Sequence, residues 1–217
     1  HTLSMKQIPE TLKKPFDATA VESTLYDMWE KSGYFNPDNL PGERARAYTV
    51  VLPPPNVTGT LHTGHAIMLA IQDTLIRFKR MSGYKALWIP GTDHAAIATQ
   101  SVVEKKIQKE EGKSRHDLGR EEMMRRINAF ALESQNTILA QTKSMGASLD
   151  WSRLSFTLDD TRNLAVRTMF KKMYDDGLIY RGQRIVNWDP KGQTTISDDE
   201  TVTEERKGIL YTFKYSK

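Results

Sequence analysis

Cysteine is absent from all 217 positions. That excludes a disulfide scaffold and thiolate zinc sites, and it fits a cytoplasmic chain. No apolar run approaches the ~20 residues that a membrane span needs, so no membrane partner is expected. A secretory signal is missing too: His1-Thr2-Leu3-Ser4 ahead of Met5 reads as a cloning scar, and residues 1–4 are set aside. Repeats and low-complexity tracts are lacking. Neither sign of charge dominates: 31 Lys and Arg against 27 Asp and Glu leave a net +4, compatible with nucleic acid but no argument for it. Pairs such as Lys105-Lys106 and Arg125-Arg126 read as solvated helix faces. No cluster of carboxylates resembles a metal cage, so no bound metal is expected.

What is present is an alternation of helical and β-rich segments. A first helix is expected over residues 16–33, with Val21, Leu25 and Met28 as its apolar stripe and Gly33 as its stop. A polar loop over 36–46 leads to a strand at 47–52. A helix to about Arg80 follows, with Ile67, Ile71, Leu75 and Phe78 on one face. Residues 86–89 form a second strand, and a helix begins near Asp93 and runs to about Glu110. A longer helical region spans 118–145, its apolar positions being Met124, Ile127, Phe130, Ile138 and Leu139. Asp159 caps a further helix that Gly177 closes; residues 178–188 are β-rich and 207–215 alternate as a strand does. Strands alternating with helices imply an α/β fold with an open, mostly parallel sheet of the Rossmann type.

The most informative stretch is Pro53-Pro54-Pro55-Asn56-Val57-Thr58-Gly59-Thr60-Leu61-His62-Thr63-Gly64-His65-Ala66, between the first strand and its helix. The first N–H groups of a helix are unsatisfied and attract phosphate. Two histidines flank a glycine there; each imidazole can donate to a phosphate oxygen, and Gly64 carries no Cβ to hold a nucleotide off the backbone. In a strand–turn–helix setting this reads as a nucleotide triphosphate site.

Residues 53–66 resemble the HIGH signature of class I aminoacyl-tRNA synthetases, in the form carried by the valine-specific members. Trp88-Ile89-Pro90-Gly91-Thr92-Asp93-His94-Ala95-Ala96-Ile97-Ala98-Thr99-Gln100 resembles a second block of that family. Asp150-Trp151-Ser152-Arg153 resembles a third; Val186-Asn187-Trp188-Asp189-Pro190-Lys191 with Ile196-Ser197-Asp198 resembles a fourth. The likeness is collinear from about Phe16 to Tyr215. It implies that residues 5–206 are the first half of a Rossmann-like catalytic domain, and 207–217 a strand leading to an inserted editing domain. The KMSKS loop and anticodon-binding domain would lie downstream. Lys79-Arg80-Met81-Ser82-Gly83 echoes KMSKS but sits at an ordinary helix end, and is rejected as that loop.

The implied reaction is ATP-dependent activation of valine to valyl-adenylate, followed by transfer to tRNA(Val). Mg²⁺ arrives with ATP, and the parent is expected to be a monomer. A carboxylate is already a nucleophile, so catalysis rests on positioning and charge stabilisation and not on a triad. On this resemblance His62 and His65 hold the phosphates, with Gly64 allowing close approach and Asn56 and Thr58 adding hydrogen bonds. Asp93 pairs with the valine ammonium, helped by a carbonyl of Pro53 or Pro54, and the 53–56 segment walls the side-chain pocket. Asp93 also stands where a helix N-cap would, a role that can coexist with the first, and Trp188 reads as a core residue and not a site residue. Ala96 stands where relatives carry glycine. Discrimination against threonine is weak in a hydrophobic pocket, with valine-activating enzymes the standard example, so editing falls to a second domain. Two readings compete: a nucleotidylyltransferase with the same His-x-Gly-His turn, and a folded, non-catalytic piece. The isolated chain is expected to be inactive or very weak.

Overall fold

The computed structural model describes residues 15–216. The scar reading of residues 1–4 falls outside them. The chain divides into two compact units, His1–Arg167 and Thr168–Lys217.

In the first unit, α1 (Glu22–Lys31) precedes a one-turn 3₁₀ helix, Pro37–Asn39, and β1 (Ala47–Val50). Then come α2 (Thr63–Met81), β2 (Lys85–Trp88) and β3 (Gly91–Thr92). Helices α3 (Ala96–Glu111), α4 (Arg115–Leu118) and α5 (Arg120–Ser144) lead to a 3₁₀ turn at Trp151–Arg153 and to β4 (Ser155–Phe156). Helix α6 (Asp160–Asp175) contains the division between the units. β1 pairs parallel with β2, residue for residue from Ala47↔Lys85 to Val50↔Trp88, and β3 pairs parallel with β4. An isolated parallel bridge joins Asn56 to Asp93. The parallel α/β arrangement agrees with the sequence, although the ladders are shorter than expected.

The core forms where α2 lies on β1 and β2. Leu69, Ile76, Ala86, Trp88, Ala147 and Leu149 are buried together, with Tyr48, Val50 and Leu61 against them. Trp88 is fully buried, and Nε1 donates to Gln72 Oε1 at 3.0 Å, as a buried indole requires. A second cluster, Val103, Ile107 and Met123, joins α3 to α5.

The inward faces differ from those read from periodicity. On α2, Leu69 and Ile76 are buried, while Ile67, Ile71, Leu75 and Phe78 are 42–59% exposed. On α1 the buried residue is Tyr26, and Leu25 and Met28 are exposed. On α5 Met123 is buried and Met124 exposed, whereas Ile138 is buried as expected. In each helix a face shares apolar character with its neighbour, so hydropathy alone leaves its rotation undetermined. α1 also begins later than expected, at Glu22.

The second unit contains the last part of α6, a two-residue antiparallel pair β5 (Trp188–Asp189) and β6 (Thr194–Thr195), and a 3₁₀ turn Asp198–Glu200. The β-rich reading of 178–188 reduces to β5, and the strand expected at 207–215 does not form: residues 201–216 have no ladder. A strand exists only when another strand satisfies its N–H and C=O groups, and none of the described residues pairs with this one. Trp188, read as a core residue, is 52% exposed.

Candidate active site

Three successive prolines cannot donate to a ladder, so β1 stops short of them and the chain next pairs at Asn56, in an isolated parallel bridge to Asp93. There Val57 N donates to Asp93 O at 2.8 Å and Asp93 N donates to Pro55 O at 2.8 Å. Val57 is fully buried and anchors the segment. Two motifs some forty positions apart are thereby joined: Asn56 stands beside Asp93, while Pro53 and Pro54 are exposed on the same segment. The side chains of Asn56 and Thr58 make no hydrogen bond among the described residues, which leaves their polar groups available. A groove of about 260 Å³ opens next to Pro54, lined by Val50, Leu52, Ile89, Gly91, Phe156 and Arg162 among others.

The histidine turn opens α2 as a reciprocal cap. His62 is the N-cap: its Nδ1 accepts from Gly64 N at 3.1 Å, and His65 Nδ1 accepts from His62 N at 3.2 Å. A nitrogen that accepts carries no proton, so in neutral rings the proton of each sits on Nε2. Burial, reinforced by the neighbouring His62, lowers the pKa of His65, which favours the neutral form this cap needs. The rings lie 3.9 Å apart between centroids. A Cβ on Gly64 would come within 2.9 Å of the His62 ring, so a larger residue would push that ring off the helix start. Leu61 N donates to Gln141 Oε1 at 2.8 Å, tying the turn to α5.

Asp93 does not cap α3 as an N-cap: that position is Ala95, in a left-handed conformation with φ +48°, and Ala96 follows at φ +21°. Asp93 Oδ1 still accepts from Ala95 N at 3.0 Å and from the Thr157 hydroxyl at 2.9 Å. Its Oδ2 has no hydrogen-bond partner among the described residues. Non-glycine residues at positive φ cost on the order of 1–2 kcal/mol and cluster at functional sites. Here that strain lies between the carboxylate and its helix.

The Asp150-Trp151-Ser152-Arg153 block is framework. Asp150, 1% exposed, accepts from Ser152 and is ion-paired with Arg153, which reaches Asp38 at 2.6 Å. Trp151 Nε1 donates to Tyr26 Oη, which donates to Ala147 O. Beside it Asp73 Oδ1 accepts from Ser148 N and Oγ, while Arg80 donates to Ser148 and to Phe35 O. Burial lowers the Arg80 pKa to about 10, still high enough to keep the charge at neutral pH. This supports the rejection of residues 79–83 as a catalytic loop, since Arg80 is bound inward at a helix end. Arg125 and Arg126, expected to be solvated, are paired with Glu122, and Arg126 also with Glu111.

Sequence reasoning missed Thr157, Gln141 and His94. Thr157 and Gln141 are 64 and 80 positions from their partners and sit in no motif, so no local signal marks them. No group of three or more His, Asp or Glu that could hold a metal ion occurs among the described residues. No described helix is long and apolar enough to cross a membrane.

A capped helix start is thus joined to a carboxylate by a parallel bridge, at the strand-to-helix position where open α/β sheets take their ligands. The family model for class I tRNA synthetases (I, L, M and V) matches residues 24–214, and the chain belongs to that family. The nucleotidylyltransferase reading is thereby set aside. The chain is 50% identical over 204 residues to Valine--tRNA ligase of Protochlamydia amoebophila, covering 94% of this chain. It is 49% identical over 202 residues to Valine--tRNA ligase of Chlamydia muridarum, covering 93%. It spans 21% of the length of each of these curated relatives. A crystal structure of the ternary complex of Agrobacterium radiobacter K84 LeuRS with tRNA and LeuAMS superposes with a TM-score of 0.70 at 22% identity, covering 87% of this chain and 22% of that one. At that identity the match bears on the fold alone, and it agrees with the Rossmann-like α/β reading.

Proposed function

We propose that this chain supplies the ATP- and valine-binding half of a valine–tRNA ligase, which activates valine and passes it to tRNA(Val). The observation that carries the reading is the pairing of residues 55–57 with Asp93, in a chain 50% identical to proteins named Valine--tRNA ligase. Oδ2 of Asp93 receives the amino acid's ammonium, helped by a carbonyl of Pro53 or Pro54. The apolar groove beside Pro54 suits a small branched aliphatic side chain. The valine carboxylate attacks the α-phosphate of ATP in line, and the bond to pyrophosphate breaks. His62 and His65 present Nε2–H donors to the phosphates, because their Nδ1 atoms are occupied within the cap. Donors fixed in this way cost no reorganisation as charge develops. Gly64, Asn56 and Thr58 line the path of the nucleotide.

Mg²⁺ would enter with ATP and would neutralise phosphate charge, beside a turn whose histidines, threonines and amides would hold the phosphates. The protein works in the cytoplasm as a monomer. Residues 207–217 lead towards an editing domain. The test is ATP–pyrophosphate exchange by a protein of the relatives' length carrying this sequence, with valine, isoleucine, leucine or methionine as the amino acid. Exchange driven best by valine supports the reading; exchange driven best by one of the others contradicts it.

A further inference from the structure

The end of the β4 strand carries a residue that the proposed chemistry does not yet use. Thr157 sits one position beyond Ser155–Phe156 and reaches across to the end of β3. Its backbone N donates to Thr92 O at 3.2 Å, which fixes its position next to Asp93. Its hydroxyl lies 2.9 Å from Asp93 Oδ1, accepts from His94 N at 2.9 Å, and is in short contact with His94 Nδ1.

A hydroxyl has one proton and two lone pairs. The only acceptor among these three partners that cannot donate is the Asp93 carboxylate, so the proton goes there. Both lone pairs are then taken by His94, one by its backbone N–H and one by Nδ1–H. The arrangement leaves no capacity unused. It also makes two assignments. Asp93 Oδ1 is saturated, by Thr157 and by Ala95 N at 3.0 Å, so the carboxylate keeps only Oδ2 for a ligand. And His94 is the Nδ1–H tautomer, the opposite of the Nε2–H form that the capping turn imposes on His62 and His65.

We propose that Thr157 is a positioning residue for the amino acid: through Oδ1 it sets the angle at which Asp93 offers Oδ2 to the ammonium, and it fixes the His94 ring beside it. The proposal rests on the reading of Asp93 given above. A carboxylate on one freely turning χ2 bond has a broad torsional range. Thr157 and the Ala95 amide restrict that range from two directions, and the ammonium then meets a pre-oriented acceptor.

The experiment uses valine-dependent ATP–pyrophosphate exchange by a protein of the relatives' length carrying this sequence. Thr157→Val keeps the shape and removes the hydroxyl; it should raise the KM for valine about tenfold to a hundredfold, the range expected for a lost hydrogen bond to a charged group. The KM for ATP should change less than about threefold, since the histidine turn is not touched. Thr157→Ser keeps the hydroxyl and should restore the valine KM to within about threefold of the parent. A purely structural role would lower the rate with both substrates and would not be rescued selectively. If Thr157→Val proves unstable, the Ser variant and ¹⁵N NMR of His94 in the unsubstituted protein still decide: an Nε2–H tautomer of His94 overturns the assignment. Asp93→Asn separates the two levels. A raised valine KM in Asp93→Asn with an unchanged one in Thr157→Val overturns the Thr157 proposal alone; unchanged values in both overturn the reading of Asp93 as well.

Discussion

The first unit holds its motifs by contacts between residues far apart in sequence, and the second holds its motif by contacts close at hand. The histidine turn is fastened by Gln141, the Asp93 segment by Pro55, Val57 and Thr157, and the 150–153 block by Asp38 and Tyr26. The 187–198 block has Asn187 bonded to Asp198 and a two-residue ladder, spanning a dozen positions, with Trp188 half exposed. Both blocks are equally recognisable as sequence. Recognisable motifs become preorganised sites where several distant elements restrain them, because a rotamer locked from more than one side keeps its geometry when a ligand arrives.

The largest effect expected from breaking this contrast is in the buried network of the first unit. Arg80→Ala removes the donor to Ser148 and Phe35 and leaves Asp73 and Asp150 with less compensation. Arg80 gives up three hydrogen bonds at once, and each buried acceptor left unsatisfied costs about 1–3 kcal/mol. Denaturant unfolding checks it; a loss below ~1 kcal/mol would mean that the network is not what holds this region. His62→Ala and His65→Ala come next. Removing one preorganised donor costs about 2.7–4 kcal/mol in the transition state, or roughly 10²–10³ in rate. Pyrophosphate exchange at parental rate in both variants would overturn the phosphate assignment.

Ala95→Gly sharpens the contrast from the opposite side. Ala95 has φ +48°, so glycine relieves strain and should stabilise by about 1 kcal/mol. The catalytic cost, if the strain holds Asp93 in place, would be seen as a raised valine KM. Lower stability in thermal melts would show that Ala95 is not strained. Acid acts on the same unit through His65. Its pKa is lowered in the fold, so the unfolded chain takes up the proton first and stability present at neutral pH falls as pH drops below the unfolded value near 6.5. His65→Gln should flatten that acid limb of a melting-versus-pH curve, and an unchanged limb would contradict the cap. The smallest effect belongs to the second unit: Trp188→Ala should cost less than about 0.5 kcal/mol, as exposed positions do. A cost of several kcal/mol would erase the distinction between the units.

Much of the fold was readable because local chemistry marks it. The strand at 47–50, the capped helix after His62 and the glycine stops at Gly33 and Gly177, both at positive φ, follow from short-range rules. The inward face of α2 was not readable, since Ile67 and Ile71 are as apolar as Leu69 and Ile76. Pairing also escaped: alternation over 207–215 suggests a strand but cannot supply its partner. For the candidate site, the histidines and Asp93 stood out by motif, while Thr157 and Gln141 act across 64 and 80 positions and carry no mark in the chain around them.

If the segment after β1 and Asp93 together bind the amino acid, Asp93→Asn is the sharpest probe of that site. Asparagine keeps an Oδ1 that can accept from Ala95 N and from the Thr157 hydroxyl, so local structure is kept while the charge is removed. Calorimetric titration of valine and of ATP against this variant, in a protein of the relatives' length, should show valine affinity lowered at least tenfold and ATP affinity nearly unchanged. Valine affinity equal to that of the unsubstituted protein would leave Asp93 with its structural hydrogen bonds alone and contradict the account.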